Sequence, residues 1–262
     1  MRLEHFITGR SNKETILFVH GAGANASQFE MQHKFFSDRY KVVSLSLRGH
    51  GLSPTPSPNI TKLYSIEDNA NDIIELIDNL NLHNIHYVGN SAGGVVGYMV
   101  VARLKNRFLS ITTFGTTGQM NLPKFSAPLV KTFDTLMIKI IKQKYLKFIA
   151  KQTGINEESR EAIYQMFLKA SGAIPHLRYH LANYNYLSEI ETLPVPYTLI
   201  QCELDRDINR ILKTTIEAVS QNKKARIVSF EGAGHIANLD KPDGFNQVLL
   251  NIITELNANT EK

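Results

Sequence analysis

Apolar, β-branched runs alternate with runs of helical period along most of this chain, which confines it to an α/β protein with a largely parallel sheet. Parallel neighbours need a long crossover between them, and a helix fills it. Strands are expected at 15–20, 41–47, 85–89, 108–114, 197–201 and 225–230, with a short strand at 3–7 pairing at the sheet edge. Helices are expected at 27–36, 66–80, 92–106, 208–220 and 241–256, the last with Asp240 as its N-cap and Pro242 in its first turn. At 262 residues this is one large domain, or one domain with a substantial insertion.

The alternation breaks once, between about 116 and 194, where three helical patterns follow one another without a convincing strand. They begin near Pro128, after Asn156 and near Pro175. Residues 1–116 and 194–262 are therefore expected to form the core, and 117–193 a helical insertion over the carboxyl edge of the sheet, where open α/β folds bind ligands. Its Leu, Ile, Phe and Tyr content, including Tyr179, Tyr184 and Tyr186, implies an apolar pocket, with Tyr179 a candidate lining residue.

The net charge of +5 is concentrated in this insertion. Residues 121–151 hold seven lysines and a single acid, Asp134, while the rest of the chain is nearly neutral. That distribution gives no reason to expect a nucleic-acid partner. In the first helix, 128–151, Leu129, Phe133, Leu136, Met137, Ile140 and Ile141 recur at helical spacing. Such a basic amphipathic helix can bind an acidic membrane surface. The favoured reading is a helix with its apolar side over the active site and its lysines in water.

With 43% apolar and 20% charged residues, the composition is that of an ordinary globular protein. The first fifteen residues lack a signal peptide's apolar core, and the longest apolar run, 95–102, is far too short to span a bilayer. A soluble, cytoplasmic location is expected. Cys202 is the sole cysteine, which excludes an intrachain disulfide and a cysteine metal cluster, and no metal or cofactor is expected.

Chemistry enters at Gly89-Asn90-Ser91-Ala92-Gly93, a G-x-S-x-G sequence at a strand-to-helix junction. A turn this tight can raise one hydroxyl, Ser91, above the sheet, or it can simply be a helix N-cap. A serine is a weak nucleophile without a base. His235 follows the last strand in the glycine-flanked loop Gly232-Ala233-Gly234-His235, at the same sheet edge. A carboxylate to orient the imidazole is available after the strand at 197–201, where Glu203, Asp205 and Asp207 all stand and Asp205 is best placed.

These residues, with His20-Gly21-Ala22-Gly23, Arg48-Gly49-His50-Gly51-Leu52-Ser53 and Leu239-Asp240-Lys241-Pro242, give the chain a resemblance to the α/β-hydrolase superfamily over nearly its full length. The resemblance implies an α/β-hydrolase fold, with Ser91 as nucleophile, His235 as base and Asp205 as orienting acid. It further implies an oxyanion hole made by the backbone N–H groups of Ala22 and Ala92. Asn90 and Ile236, beside the nucleophile and the base, are candidate pocket residues. Two positions depart from the family pattern: Cys202 stands where glycine is usual, and Ser46 where an aspartate often precedes the Arg-Gly turn.

The function expected is cleavage of a small to medium carboxylic ester, with an apolar acyl or alcohol group, through an acyl-enzyme. Thioesters and lactones would use the same residues. Gly89-Asn90-Ser91-Ala92-Gly93-Gly94 also resembles carbon–carbon bond hydrolases of ring-cleavage products, but the tryptophan usual after their histidine is replaced by Ile236. Haloalkane dehalogenases and epoxide hydrolases of the superfamily carry aspartate where Ser91 stands. Outside catalysis, a ligand receptor that retains the triad is the alternative. A dinucleotide site at Gly21-Ala22-Gly23-Ala24-Asn25-Ala26 lacks the acid expected after the next strand, and His176 with His180 lacks a third metal ligand nearby.

Overall fold

In the computed structural model, which describes residues 1–260, strands β1 (His5–Thr8), β2 (Thr15–Val19), β3 (Lys41–Leu45), β4 (Ile85–Asn90) and β5 (Phe108–Phe114) follow the apolar runs. A short β6 (Gln119–Asn121) and β7 (Asn183–Asn185) come next, then β8 (Tyr197–Cys202) and β9 (Ala225–Phe230). The main sheet has seven strands in the order β1-β3-β2-β4-β5-β8-β9. All neighbours are parallel except β1, which lies antiparallel on the edge against β3. The chain leaves β2 toward β3 on one side and β4 toward β5 on the other. Their carboxyl ends thus flank a topological switch point, where a crevice opens.

Side-chain alternation explains why the strands are apolar throughout. In β2, Ile16 and Phe18 face one side while Leu17 and Val19 face the other, and all four are fully buried. Helices α1 (Glu30–Phe36) and α11 (Pro242–Thr260) cover the first face, around Phe29, Phe36, Phe245 and Leu249. The opposite face is covered by α2 (Ile66–Asn79), α3 (Ala92–Arg103) and α9 (Lys213–Gln221), through Ile73, Ile77, Val96, Val100 and Val219. Each such side chain contributes about 1.5–3 kcal/mol on burial. Ser65 caps α2 by accepting from the Asp68 N–H, with Glu67 and Asp68 complementing the dipole.

Between β5 and β8 lie α4 (Ser126–Thr153), α5 (Glu157–Ala170), α6 (Ile174–Leu181) and α7 (Leu187–Thr192). Asn156 caps α5, as its position before two glutamates suggests. Tyr145, Leu146, Ile163, Met166, Phe167 and Ile174 form a separate cluster that meets the core at Ala24 and Ile236. The segment is not purely helical: β6 and β7 pair antiparallel at its base. Three-residue strands carry too little periodicity to be read from sequence.

Two further expectations are corrected. The helix expected at 208–220 is two, α8 (Arg206–Ile211) and α9, separated at Leu212. Asp240 ends the short α10 (Ala237–Asp240) rather than capping α11. Its carboxylate accepts from the Gly234 and Ile155 N–H groups, which ties the His235 loop to the residues before α5. Residues 261–262, the end of the expected core range, lie outside the described residues.

Candidate active site

Ser91 sits between β4 and α3 with φ 50° and ψ −118°, a backbone conformation that L residues rarely adopt. The turn is held from three sides. Ser91 N–H donates to the Phe114 carbonyl, the Ser91 carbonyl accepts from the Gly94 and Val95 N–H groups, and the Thr116 hydroxyl donates to that same carbonyl. Glycine is required at 93, where a Cβ would stand 2.2 Å from the Val19 carbonyl oxygen. The Gly21 turn lies against the serine, since a Cβ on Gly21 would be 2.9 Å from Ser91 Cβ.

His235 Nδ1 is 2.8 Å from Asp205 Oδ2, the carboxylate being 6% exposed. Burial pulls His235 down, but the charge and hydrogen bond of Asp205, with Asp207 and Asp240 farther off, lift it above its ordinary value of 6.5 on balance. Asp205 also accepts from the Ile208 N–H, a helix cap that fixes its carboxylate. No hydrogen bond joins Ser91 Oγ to His235 among the described residues, although both line the same cavity. In unliganded sites such bonds are commonly open and tighten around substrate.

A buried amide network sets the two loops relative to each other. Asn90 Nδ2 donates to the carbonyls of Phe114 and His235, and Asn90 Oδ1 accepts from Gln28, which also donates to Asn238. Asn90 touches the cavity, yet its amide is committed to this scaffold. Neither the Ala22 nor the Ala92 N–H donates to another group among the described residues, and Ala92 opens α3, where the helix dipole favours negative charge.

The Ala22 turn is itself pinned by two buried histidines. His50 Nε2 accepts from the Gly23 N–H and His20 Nε2 from the Leu47 N–H, so both rings carry their proton on Nδ1, donating to Arg48 and Gly21 carbonyls. Burial pushes both down, His50 to about 4. They are therefore neutral supports for the turn.

The cavity has a volume of about 470 Å³ and contains Ser91, His235, Asp205, Ala22, Asn90 and Ile236 on its walls. Tyr179 is not among them and packs edge-on to His180 instead. Tyr184 and Tyr186 lie back against the core near Tyr98. The aromatic walls come from Phe133, Tyr145 and Phe148 of α4 and Phe167 of α5, while α6 meets the cavity through Ile174, Arg178 and Leu181, a helical face that Tyr179 does not share. The expectation for α4 is corrected too: Leu129, Leu136 and Ile140 point into solvent rather than over the site.

Arg178 was not legible as a cavity residue. Its guanidinium reaches Asp134 at 2.8 Å, and Asp134 also accepts from the Tyr145 hydroxyl. The one hint in the sequence is Asp134 itself, a lone acid among seven lysines that needs a partner if buried. His176 and His180 are both spent on Thr61, and Cys202 is buried with its thiol pushed up to about 12. No helix among the described residues is long and apolar enough to cross a membrane.

The chain is 28% identical over 118 residues to 3-oxoadipate enol-lactonase 2 of Acinetobacter baylyi, covering 45% of this chain and 43% of that protein. It thus spans less than half the length of the enol-lactonases that it matches in sequence. Epoxide hydrolase 1 of Caenorhabditis elegans is 23% identical over 278 residues, covering 94% of this chain and 66% of that protein. Among solved structures, the enol-lactonase from Burkholderia xenovorans LB400 shares the fold with a TM-score of 0.82, at 20% identity over 96% of both chains. A family model described as alpha/beta hydrolase family matches residues 16–248, and the chain belongs to that family.

Proposed function

We propose that this protein is a serine hydrolase that cleaves carboxylic esters through an acyl-enzyme, with Ser91, His235 and Asp205 as its triad and residues 117–193 as a cap that shapes the pocket. The observation that carries this reading is a serine held at positive φ in the same cavity as a histidine bonded to a buried carboxylate. Ser91 Oγ attacks the ester carbonyl carbon while His235 Nε2 takes its proton. The oxyanion accepts hydrogen bonds from the Ala22 and Ala92 N–H groups, each worth about 3–4 kcal/mol in the transition state. The imidazolium returns the proton to the departing alkoxide, leaving an acyl-Ser91. Water, deprotonated by His235, then attacks the acyl carbon, and the imidazolium gives that proton to Ser91 Oγ as the carboxylic acid departs.

A lactone is an internal ester open to the same steps, and the enol-lactonases among the relatives favour including it as the second substrate class. A fluorophosphonate probe, followed by p-nitrophenyl esters of increasing chain length and a lactone panel, tests the reading. Ser91→Ala should abolish labelling and lower turnover by roughly 10⁴ to 10⁶. Labelling and turnover that survive Ser91→Ala would remove the proposal, and saturable ligand binding without turnover would replace it with a receptor.

A further inference from the structure

The outer side of α4 is unusual for a water-facing helix. Phe125, Leu129, Phe133, Leu136 and Ile140 follow one another at spacings of four, four, three and four, so they form one row, and they are 46–65% exposed. The helix then breaks at Ile141, with φ −133° and ψ 38°, and beyond it Phe148 is 60% exposed. Eight of the thirteen exposed large apolar side chains among the described residues lie between Leu122 and Phe148, so this is a patch and not scatter.

Positive charge gathers at the carboxyl end of the row. Lys139, Lys142, Lys144, Lys147 and Lys151 project from the same stretch, exposed and with no ion-pair partner among the described residues. Lys147 rests over the Tyr164 ring at 5.1 Å. The only acid in the segment, Asp134, is 1% exposed and turned inward to Arg178. A second copy docked face to face would set these lysines against themselves, which disfavours a symmetric pair. Protruding apolar side chains next to lysines without ion-pair partners among the described residues complement an anionic lipid surface, which offers hydrocarbon to the one and phosphate to the other.

The patch is also continuous with the cavity, because Phe133 and Phe148 belong to both. We propose that α4 docks the protein on an anionic phospholipid surface, opening the cavity toward the membrane so that esters dissolved there enter it. The docking stands by itself; its consequence for substrate rests on the hydrolase reading above.

Flotation with phosphatidylcholine vesicles, with and without about 30% phosphatidylglycerol, tests the docking. Wild-type protein and Ser91→Ala should both float with the anionic vesicles at about 20 mM salt and weaken progressively toward about 500 mM. Lys139→Glu/Lys142→Glu/Lys144→Glu and Leu136→Ser/Ile140→Ser should each lose at least about tenfold in partitioning, since every lysine near such a surface strengthens binding roughly fivefold. Both variants should keep the wild-type melting temperature and turnover of a short water-soluble ester. Three results would overturn the docking: no co-flotation at low salt, equal flotation with neutral vesicles, or self-association that Leu136→Ser/Ile140→Ser abolishes in protein that never floats. Failure of the hydrolase reading would show separately, as labelling that survives Ser91→Ala in protein that still floats.

Discussion

Replacing Asp205 by asparagine tests the proposed division of labour most sharply. The carboxylate is 6% exposed and 2.8 Å from His235 Nδ1, so the pair interacts with little water between. Asparagine is isosteric and can still cap α8 through its carbonyl, as Asp205 does toward Ile208. The fold should therefore survive. Where the imidazole needs an acceptor, however, the amide can present a donor, leaving Nδ1 bare and Nε2 protonated, the wrong form to accept the Ser91 proton. Loss of orientation and of charge stabilisation in such a triad costs about 10⁴ in turnover, about 5 kcal/mol in activation free energy.

The same change has a second, independent signature. With Asp205 gone, burial is the largest remaining influence on His235 and lowers it, so the acidic limb of kcat/KM should move from above 6.5 to below it. A p-nitrophenyl butyrate profile from about pH 5 to about pH 9, with Asp207→Asn as control, reads both effects. Asp207→Asn should shift the limb slightly downward and keep most of the rate. The reasoning is refuted if Asp205→Asn retains more than about a tenth of wild-type turnover with an unmoved limb, or if Asp207→Asn shows the large loss instead.

Two further outcomes are expected. His33 and His50 are held down to about 4 by burial, against an ordinary 6.5, so between those values the unfolded chain binds more protons than the folded one. Stability should rise with pH across that window by about 3 kcal/mol per histidine; urea melts at several pH values that show no such slope would contradict it. Ser91→Gly relieves a positive φ that costs about 1–3 kcal/mol, partly offset by glycine's greater freedom when unfolded, so it should melt above Ser91→Ala although both are inactive. Equal melting temperatures would mean that the turn stores no strain.

The strands and the loops that follow them were legible because their signals are local. Short, largely apolar runs mark β2, β4 and β8, and glycine marks the turns at Gly21, Gly93 and Gly234. Ser91, Asp205 and His235 could be selected for the same reason: each follows its own strand, and a parallel sheet brings all those ends to one edge. Tyr179 could not be excluded by any local rule, since helical period says which residues share a face and not what that face meets.

The sequence by itself determined the α/β order, the glycine turns and the concentration of lysines at 121–151, because periodicity, backbone freedom and charge belong to neighbouring residues. Tertiary structure alone decided which residues wall the cavity, that Asp134 turns inward to Arg178 forty-four positions away, and that α4 leaves its apolar row uncovered. Those outcomes depend on how α4 settles on α5 and α6, and packing between distant segments leaves no period in the chain.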